Sequence, residues 1–190
     1  MNKLTIIIPC KNEEQYIGKC LESLLNQEDI KDVEIIIADA NSTDSTINII
    51  NEYKKSLDIK VIEGGLPSIG RNKGAYLANS EYLLFIDADA EIYDNRIIKN
   101  SIQMMDKNNL HILGCKLNSH YLYVKVLYKL NNIITRLSKY ENPFVVGIYF
   151  MIRSDIFKLN GGFPEDVLHC EDYLLSRKID KNKFGIIKSY

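Results

Sequence analysis

Four short apolar runs, dense in β-branched residues, constrain the fold of this chain more than any other feature. They occupy residues 4–8, 33–38, 59–62 and 82–86. Pro9 stops the first, Gly64-Gly65 ends the third, and Asp87-Ala88-Asp89 ends the fourth. Runs with little polar alternation are buried on both faces, as parallel strands are when helices cover both sides of their sheet. Helical patterning fills the gaps. Ile17, Cys20, Leu21, Leu24 and Leu25 fall on one helical face. Asn41-Ser42-Thr43-Asp44 offers N-cap chemistry for a helix reaching about Lys55. Residues 71–79 and 95–105 also read as helices. Strands and helices in alternation predict an α/β fold, with a Rossmann-like, mostly parallel central sheet flanked by helices.

After residue 110 the pattern loosens. Residues 112–115, 145–152 and 184–187 read as strands and 171–178 as a short helix, with a turn at Gly161-Gly162-Phe163-Pro164. No repeat, low-complexity tract or linker divides the chain, so residues 1–190 are expected to form a single domain. A chain of 190 residues can bury an adequate core without staples. A formal net charge of -1 excludes the basic footprint of a nucleic-acid binder. Cys10, Cys20, Cys115 and Cys170 form no C-x-x-C pair, so zinc-ligand spacing is absent and reduced, mostly buried thiols are expected. No signal-peptide core and no bilayer-length apolar stretch is visible, which predicts a cytoplasmic protein.

In open α/β sheets, ligands bind at the carboxyl ends of the strands. Three of the four strand ends here are polar: Cys10-Lys11-Asn12-Glu13, Asp39-Ala40-Asn41 and Asp87-Ala88-Asp89. Asp87 and Asp89 lie two apart, so on extended backbone both carboxylates project to one side. That pair suits a hard divalent cation, Mg²⁺ or Mn²⁺, with open positions for phosphate oxygens. A solvated turn is the plain alternative. Neither G-x-G-x-x-G nor G-x-x-x-x-G-K is present. A diphosphate would therefore be held by metal and side chains, with Arg71 as a candidate donor or else an ordinary surface arginine at a helix start. Glu171-Asp172 could supply a general base, or could simply complement a helix dipole in its first turn. His111, His120 and His169 show no metal spacing and read as structural or solvated.

Taken together, these motifs resemble glycosyltransferase family 2, whose fold is called GT-A. The matching stretches, in the family's order, are Ile6-Ile7-Ile8-Pro9-Cys10-Lys11-Asn12-Glu13-Glu14, Ala38-Asp39-Ala40-Asn41-Ser42-Thr43-Asp44-Ser45-Thr46, Gly70-Arg71-Asn72-Lys73-Gly74-Ala75, Phe85-Ile86-Asp87-Ala88-Asp89, Gly161-Gly162-Phe163 and Glu171-Asp172. The resemblance implies an inverting transferase that uses a nucleotide sugar, a UDP-sugar by family habit, and Mn²⁺ or Mg²⁺. It implies a nucleotide-sugar-binding half, 1–110, and an acceptor-binding and catalytic-base half, 111–190. Pro9, Cys10, Asn12, Glu13, Asp39, Asn41, Arg71, Asp87 and Ala88 would border the nucleotide sugar, with Asp39 on the base. Asp89, with Asp87, would hold the metal. Asp172 would be the catalytic base, with Glu171 beside it. The family often has a second aspartate where Ala40 stands, and many members carry a histidine beyond the Glu-Asp pair. The given sequence ends without one, so either a C-terminal segment is missing or that ligand is dispensed with.

Two rival readings are a sugar nucleotidyltransferase, for which the segment Lys11-Asn12-Glu13 is a poor phosphate loop, and a non-catalytic nucleotide-sugar-binding module. The acceptor is open between a glycan, a lipid-linked sugar and a protein. One segment bears on that choice. Between about His120 and Tyr140, Leu122, Val126, Leu130, Ile133 and Leu137 form one helical stripe, and Tyr123, Leu127, Ile134 widen it. Lys125, Lys129, Arg136 and Lys139, with Tyr121, Tyr128 and Tyr140, suit an interfacial helix on the inner face of a membrane. The same periodicity suits a helix packed on the sheet with solvated lysines.

Overall fold

The computed structural model of the chain describes residues 2–116, 122–138, 144–167 and 170–188. The four apolar runs become β1 (Asn2–Cys10), β2 (Glu34–Asp39), β3 (Ile59–Glu63) and β4 (Ser80–Ile86). All four are parallel, with Ile7 beside Ile36 and Phe85, and Ile37 beside Val61. Three further strands, β5 (Ile112–Cys115), β6 (Tyr149–Arg153) and β7 (Phe184–Ile187), extend the same sheet in the order β3-β2-β1-β4-β6-β5-β7. β6 is antiparallel to both of its neighbours, and β5 and β7 are parallel. The expectation of a mostly parallel sheet flanked by helices therefore holds, with β6 as the exception.

The strands are apolar throughout because each face of the sheet has its own core. Ile6, Ile8, Ile35, Ile37 and Leu84 pack under α1 (Ile17–Leu25), with α2 (Thr46–Tyr53) and α4 (Ile97–Lys107) on the same side. Ile7, Ile36, Leu83 and Phe85 face the opposite core, which holds Ala75, Phe150, Phe157, Phe163 and Leu175. Phe85 touches Phe150, Phe157 and Phe163 at ring-centroid distances of 5.0, 5.5 and 5.0 Å. Full burial of one such side chain stabilises the fold by about 1.5–3 kcal/mol.

Several sequence boundaries move. The helix expected over 71–79 is α3 (Pro67–Leu77), which starts earlier because Pro67 occupies its first turn, where a missing N–H does no harm. The strand expected over 145–152 starts only at Tyr149, because residues before it leave the sheet to line the cavity described below. α7 (Glu171–Ser176) stops two residues short of the expected end. Sequence reasoning missed α6 (Ser154–Leu159), a six-residue helix too short to show a period.

α3 sits against the sheet through small and polar residues. An added Cβ at Gly74 would lie 2.7 Å from Ile7 Cγ2, so only glycine lets this helix approach β1. The buried Asn72 accepts the Phe163 N–H at 2.9 Å and donates to the Phe163 carbonyl at 2.9 Å. It thereby clamps the turn in which Gly161 and Gly162 adopt φ of 76° and 69°. Asn72→Ala leaves two buried backbone groups unpaired and is expected to lower stability by about 2–4 kcal/mol in urea unfolding. A loss under about 0.5 kcal/mol would mean that the turn is held elsewhere.

The largest difference concerns α5 (Leu122–Ser138). Its apolar face does not pack on the sheet. Val126, Leu127, Leu130, Ile133, Ile134 and Leu137 are all exposed, whereas Thr135 is buried. His120, Tyr121, Lys139, Tyr140, His169 and the side chains of Leu122, Tyr123 and Arg136 lie outside the described residues. His111 directly precedes β5, where its backbone N–H bonds the Lys183 carbonyl and its carbonyl accepts the Arg153 N–H, and burial lowers its pKa. The four cysteines are free thiols, two of them buried, with Cys115 partly buried and Cys170 exposed.

Candidate active site

The carboxyl ends of β1, β2 and β4 do converge. They open, with residues 146–148 and the start of α7, onto a cavity of about 810 Å³. Pro9, Cys10, Glu13, Asn41, Arg71, Asp87, Ala88, Asp89, Glu171 and Asp172 all line it. Two expected site residues, Asn12 and Asp39, do not, and instead shape its wall. Asp39 accepts the Ser42 N–H at 3.0 Å, the Ser42 hydroxyl at 2.5 Å and the Cys10 thiol at 3.5 Å. Asn12 takes a left-handed φ of 54°, and its Oδ1 accepts the Thr43 N–H at 2.8 Å. The Glu13 N–H donates to Thr46 Oγ1 at 2.7 Å, which stitches the β1–α1 loop to the start of α2. These bonds fix Cys10, Glu13 and Asn41 along one rim. Burial and the Asp39 charge push the Cys10 thiol far up, so it is an inert wall group rather than a nucleophile.

Arg71 occupies the centre. It is only 4% exposed, so it is not a surface arginine. Nη2 donates to Asp87 Oδ1 at 2.5 Å and Nη1 donates to Glu171 Oε1. One guanidinium thus ties the end of β4 to the start of α7, far apart in sequence. Each of these nitrogens gives one N–H to a protein carboxylate, and Nε is buried without a hydrogen-bond partner among the described residues. Burial lifts the Asp87 carboxyl above the usual range, and Arg71 holds it back.

Asp172 lies on the other side of that bridge. Its Oδ2 accepts the Gly147 N–H at 2.6 Å, and its Oδ1 accepts the Tyr173 N–H at 2.7 Å. A Cβ at Gly147 would lie 3.1 Å from Arg71 Nη2 and 3.4 Å from Asp172 Oδ2, so this loop passes tightly between the two side chains. Burial raises the Asp172 pKa, against the two N–H donors that lower it. A carboxylate that is desolvated, oriented and open to a cavity is suited to take a proton. Residues 146–148, which sequence reasoning read only as strand, carry no chemical signal of their own. Only the departure of the chain from the sheet reveals them.

The cavity wall holds five carboxylates, Glu13, Asp87, Asp89, Glu171 and Asp172, against two cations, Lys11 and Arg71. Glu13 shows the repulsion. Its pKa is raised by burial and then by the charges of Asp89, Asp44 and Asp87. An anionic diphosphate is repelled from such a surface unless a cation accompanies it. Asp89 is exposed at the rim, two residues beyond Asp87. Among the described residues no group of three or more His, Cys, Asp or Glu side chains could hold a metal. The donor set therefore fits Mg²⁺ or Mn²⁺ held through one or two carboxylates together with phosphate oxygens, not an all-protein cage.

Known proteins resemble the chain in sequence and in fold. The family described as Glycosyl transferase family 2 matches residues 5–160. The poly(ribitol-phosphate) beta-glucosyltransferase of Bacillus spizizenii is 31% identical over 192 aligned positions, covering 93% of this chain and 30% of that protein. The chain thus spans about a third of the length of the first curated relatives it matches. The crystal structure of Staphylococcus aureus TarS 1-349 with UDP-GlcNAc superimposes with a TM-score of 0.75 at 25% identity, over 97% of this chain and 56% of that one. The mannosyltransferase PcManGT of Pyrobaculum calidifontis, solved with GDP-Man and Mn²⁺, has a TM-score of 0.78 at 20% identity, over 98% and 54%. At that identity the likeness is one of fold.

Proposed function

This chain belongs to glycosyltransferase family 2 and has its GT-A fold, and we propose that it transfers a sugar from a nucleotide sugar to an acceptor hydroxyl with inversion. The observation that carries this reading is the single cavity that gathers Asp87 and Asp89 from β4 with Asp172 from α7. Asp172 accepts the proton of the acceptor hydroxyl as its oxygen bonds the anomeric carbon. The bond from that carbon to the diphosphate oxygen breaks, and the electron pair leaves with the nucleoside diphosphate. Gly147 and Tyr173 N–H groups keep the Asp172 carboxylate aimed at the acceptor. Glu171, bonded to Arg71, orients α7 and takes no proton in this scheme. When bound at Asp89 and Asp87, Mg²⁺ or Mn²⁺ supplies the positive charge that neutralises the leaving diphosphate.

A UDP-sugar is the proposed donor, supported by the UDP-GlcNAc in the TarS structure. A surface polysaccharide is the proposed acceptor class. The Bacillus spizizenii relative is named for a poly(ribitol-phosphate) acceptor. The excess of wall carboxylates sets the test. In calorimetry, UDP is expected to bind at least about tenfold more weakly in EDTA than with Mn²⁺, a difference of roughly 1.4 kcal/mol or more. Mn²⁺ without nucleotide is expected to bind weakly, since the described residues alone offer too few ligands. Equal UDP affinity in EDTA would remove the metal from this reading. Release of UDP from a UDP-sugar, rather than its formation from a sugar phosphate and UTP, separates transferase from nucleotidyltransferase.

A further inference from the structure

α5 is built inside out for a helix in water. Val126, Leu127, Leu130, Ile133, Ile134 and Leu137 are 46% to 63% exposed. At 100° per residue they share an arc of about 120°. The opposite side carries Tyr128, Asn131, Asn132 and Thr135, which are partly or fully buried. Thr135 Oγ1 bonds back to the Asn131 carbonyl at 2.9 Å. Burial raises the pKa of the Tyr128 hydroxyl, and the Asp89 and Asp87 charges raise it further. A soluble surface helix has the reverse arrangement, with its apolar stripe on the core. A contiguous exposed apolar face of this kind marks an interaction surface.

Charge identifies the occupant. Residues 122–138 contain Lys125, Lys129 and Arg136 and no Asp or Glu. Lys125 and Lys129 are exposed along one flank of the apolar arc. A second copy of the chain would bring these lysines to a helix with no carboxylate to meet them, so self-association is disfavoured. No described helix is long and apolar enough to cross a membrane. A face with large aliphatic residues flanked by cations matches the interface of an anionic bilayer.

We propose that the outward face of α5 docks on an anionic phospholipid surface, with Leu130, Ile134 and Leu137 among the acyl chains and Lys125 and Lys129 at the headgroups. This goes beyond the donor chemistry and does not depend on it.

The test is flotation of the chain with vesicles of phosphatidylcholine alone and with added phosphatidylglycerol. Binding to the anionic vesicles is expected to be roughly tenfold stronger or more and to weaken in high salt. Leu130→Glu with Ile134→Glu is expected to abolish it, and Lys125→Glu with Lys129→Glu to remove the preference for phosphatidylglycerol. All four positions are exposed, so circular dichroism and UDP binding of both variants are expected to match the parent. No flotation at low salt, or flotation indifferent to both pairs of substitutions, overturns the proposal. So does light scattering without lipid that shows a dimer dissolved by Leu130→Glu with Ile134→Glu, which would assign the face to a second copy.

Discussion

Asp172→Asn is expected to lower the rate of sugar transfer by a factor of about 10²–10⁴ while leaving nucleotide-sugar affinity within about twofold of the parent's. The substitution is nearly isosteric. The amide oxygen still accepts the Gly147 N–H that Asp172 Oδ2 accepts at 2.6 Å, so the loop keeps its place. What disappears is the group that takes the proton. Single-turnover transfer with calorimetry of donor binding checks both halves. Normal turnover would reduce Asp172 to a loop anchor in the first turn of α7. The pH profile carries a second signature. Burial places the Asp172 pKa above the usual carboxylate range. Transfer by the parent should therefore fall as pH drops through that raised value, since the base must be ionised. The same shift makes ionised Asp172 unfavourable for folding, so its contribution to stability is present at low pH and lost as pH rises through the folded value. The asparagine variant escapes that loss, and its stability relative to the parent is expected to improve as pH rises.

The parts of this fold that were legible in sequence are those where a single physical requirement repeats along the chain. β1, β2 and β4 must be apolar on both faces, and Ile35-Ile36-Ile37 reads that way at once. α1 and α4 bury one stripe each, and their periodicity shows it. α3 reads as a helix, but its burial does not, because it packs Ser68, Gly70, Arg71, Asn72 and Gly74 against the sheet, residues that a hydropathy pattern assigns to solvent. Its reasons are tertiary: Gly74 is demanded by Ile7, and Asn72 by the backbone of Phe163. The site divides in the same way. Asp87, Asp89 and Asp172 stand at strand or helix ends where chemistry is expected, and the cavity includes them all. Asp39 belongs to the same pattern, yet the structure shows its oxygens turned to Ser42 and Cys10. Periodicity predicted α5 correctly as a helix and could not say which side faces out, because a core-facing stripe and a membrane-facing stripe have one period.

Arg71 is where fold and chemistry depend on each other most, and Arg71→Met is expected to cost about 3–5 kcal/mol of stability. Methionine matches the length of the side chain and removes the buried, unpartnered Nε, so packing alone predicts a small change. The large effect comes from what remains. The Asp87 and Glu171 side chains are 29% and 12% exposed, and Arg71 is the cation that bridges them. Without it, two partly buried carboxylates lie at one wall of the cavity with no cation between them. Arg71→Lys keeps the charge but lacks the fork that reaches both partners, so an intermediate loss is expected. Protonation is the escape. Burial already raises the Asp87 pKa, and losing Arg71 raises it further. With a folded pKa above the unfolded one, the stability Asp87 contributes is intact below the unfolded value and lost as pH rises through the folded value. The methionine variant's deficit should therefore be largest near neutral pH and shrink as pH falls toward the unfolded carboxylate value of about 4. Urea unfolding at several pH values measures this, and a deficit that is under about 1 kcal/mol or flat with pH would show that the bridge is dispensable. The same variant should also bind UDP with Mn²⁺ more weakly. A protonated Asp87 offers the cation one ligand fewer, and the loss of affinity should track the fraction of Asp87 that has taken up its proton.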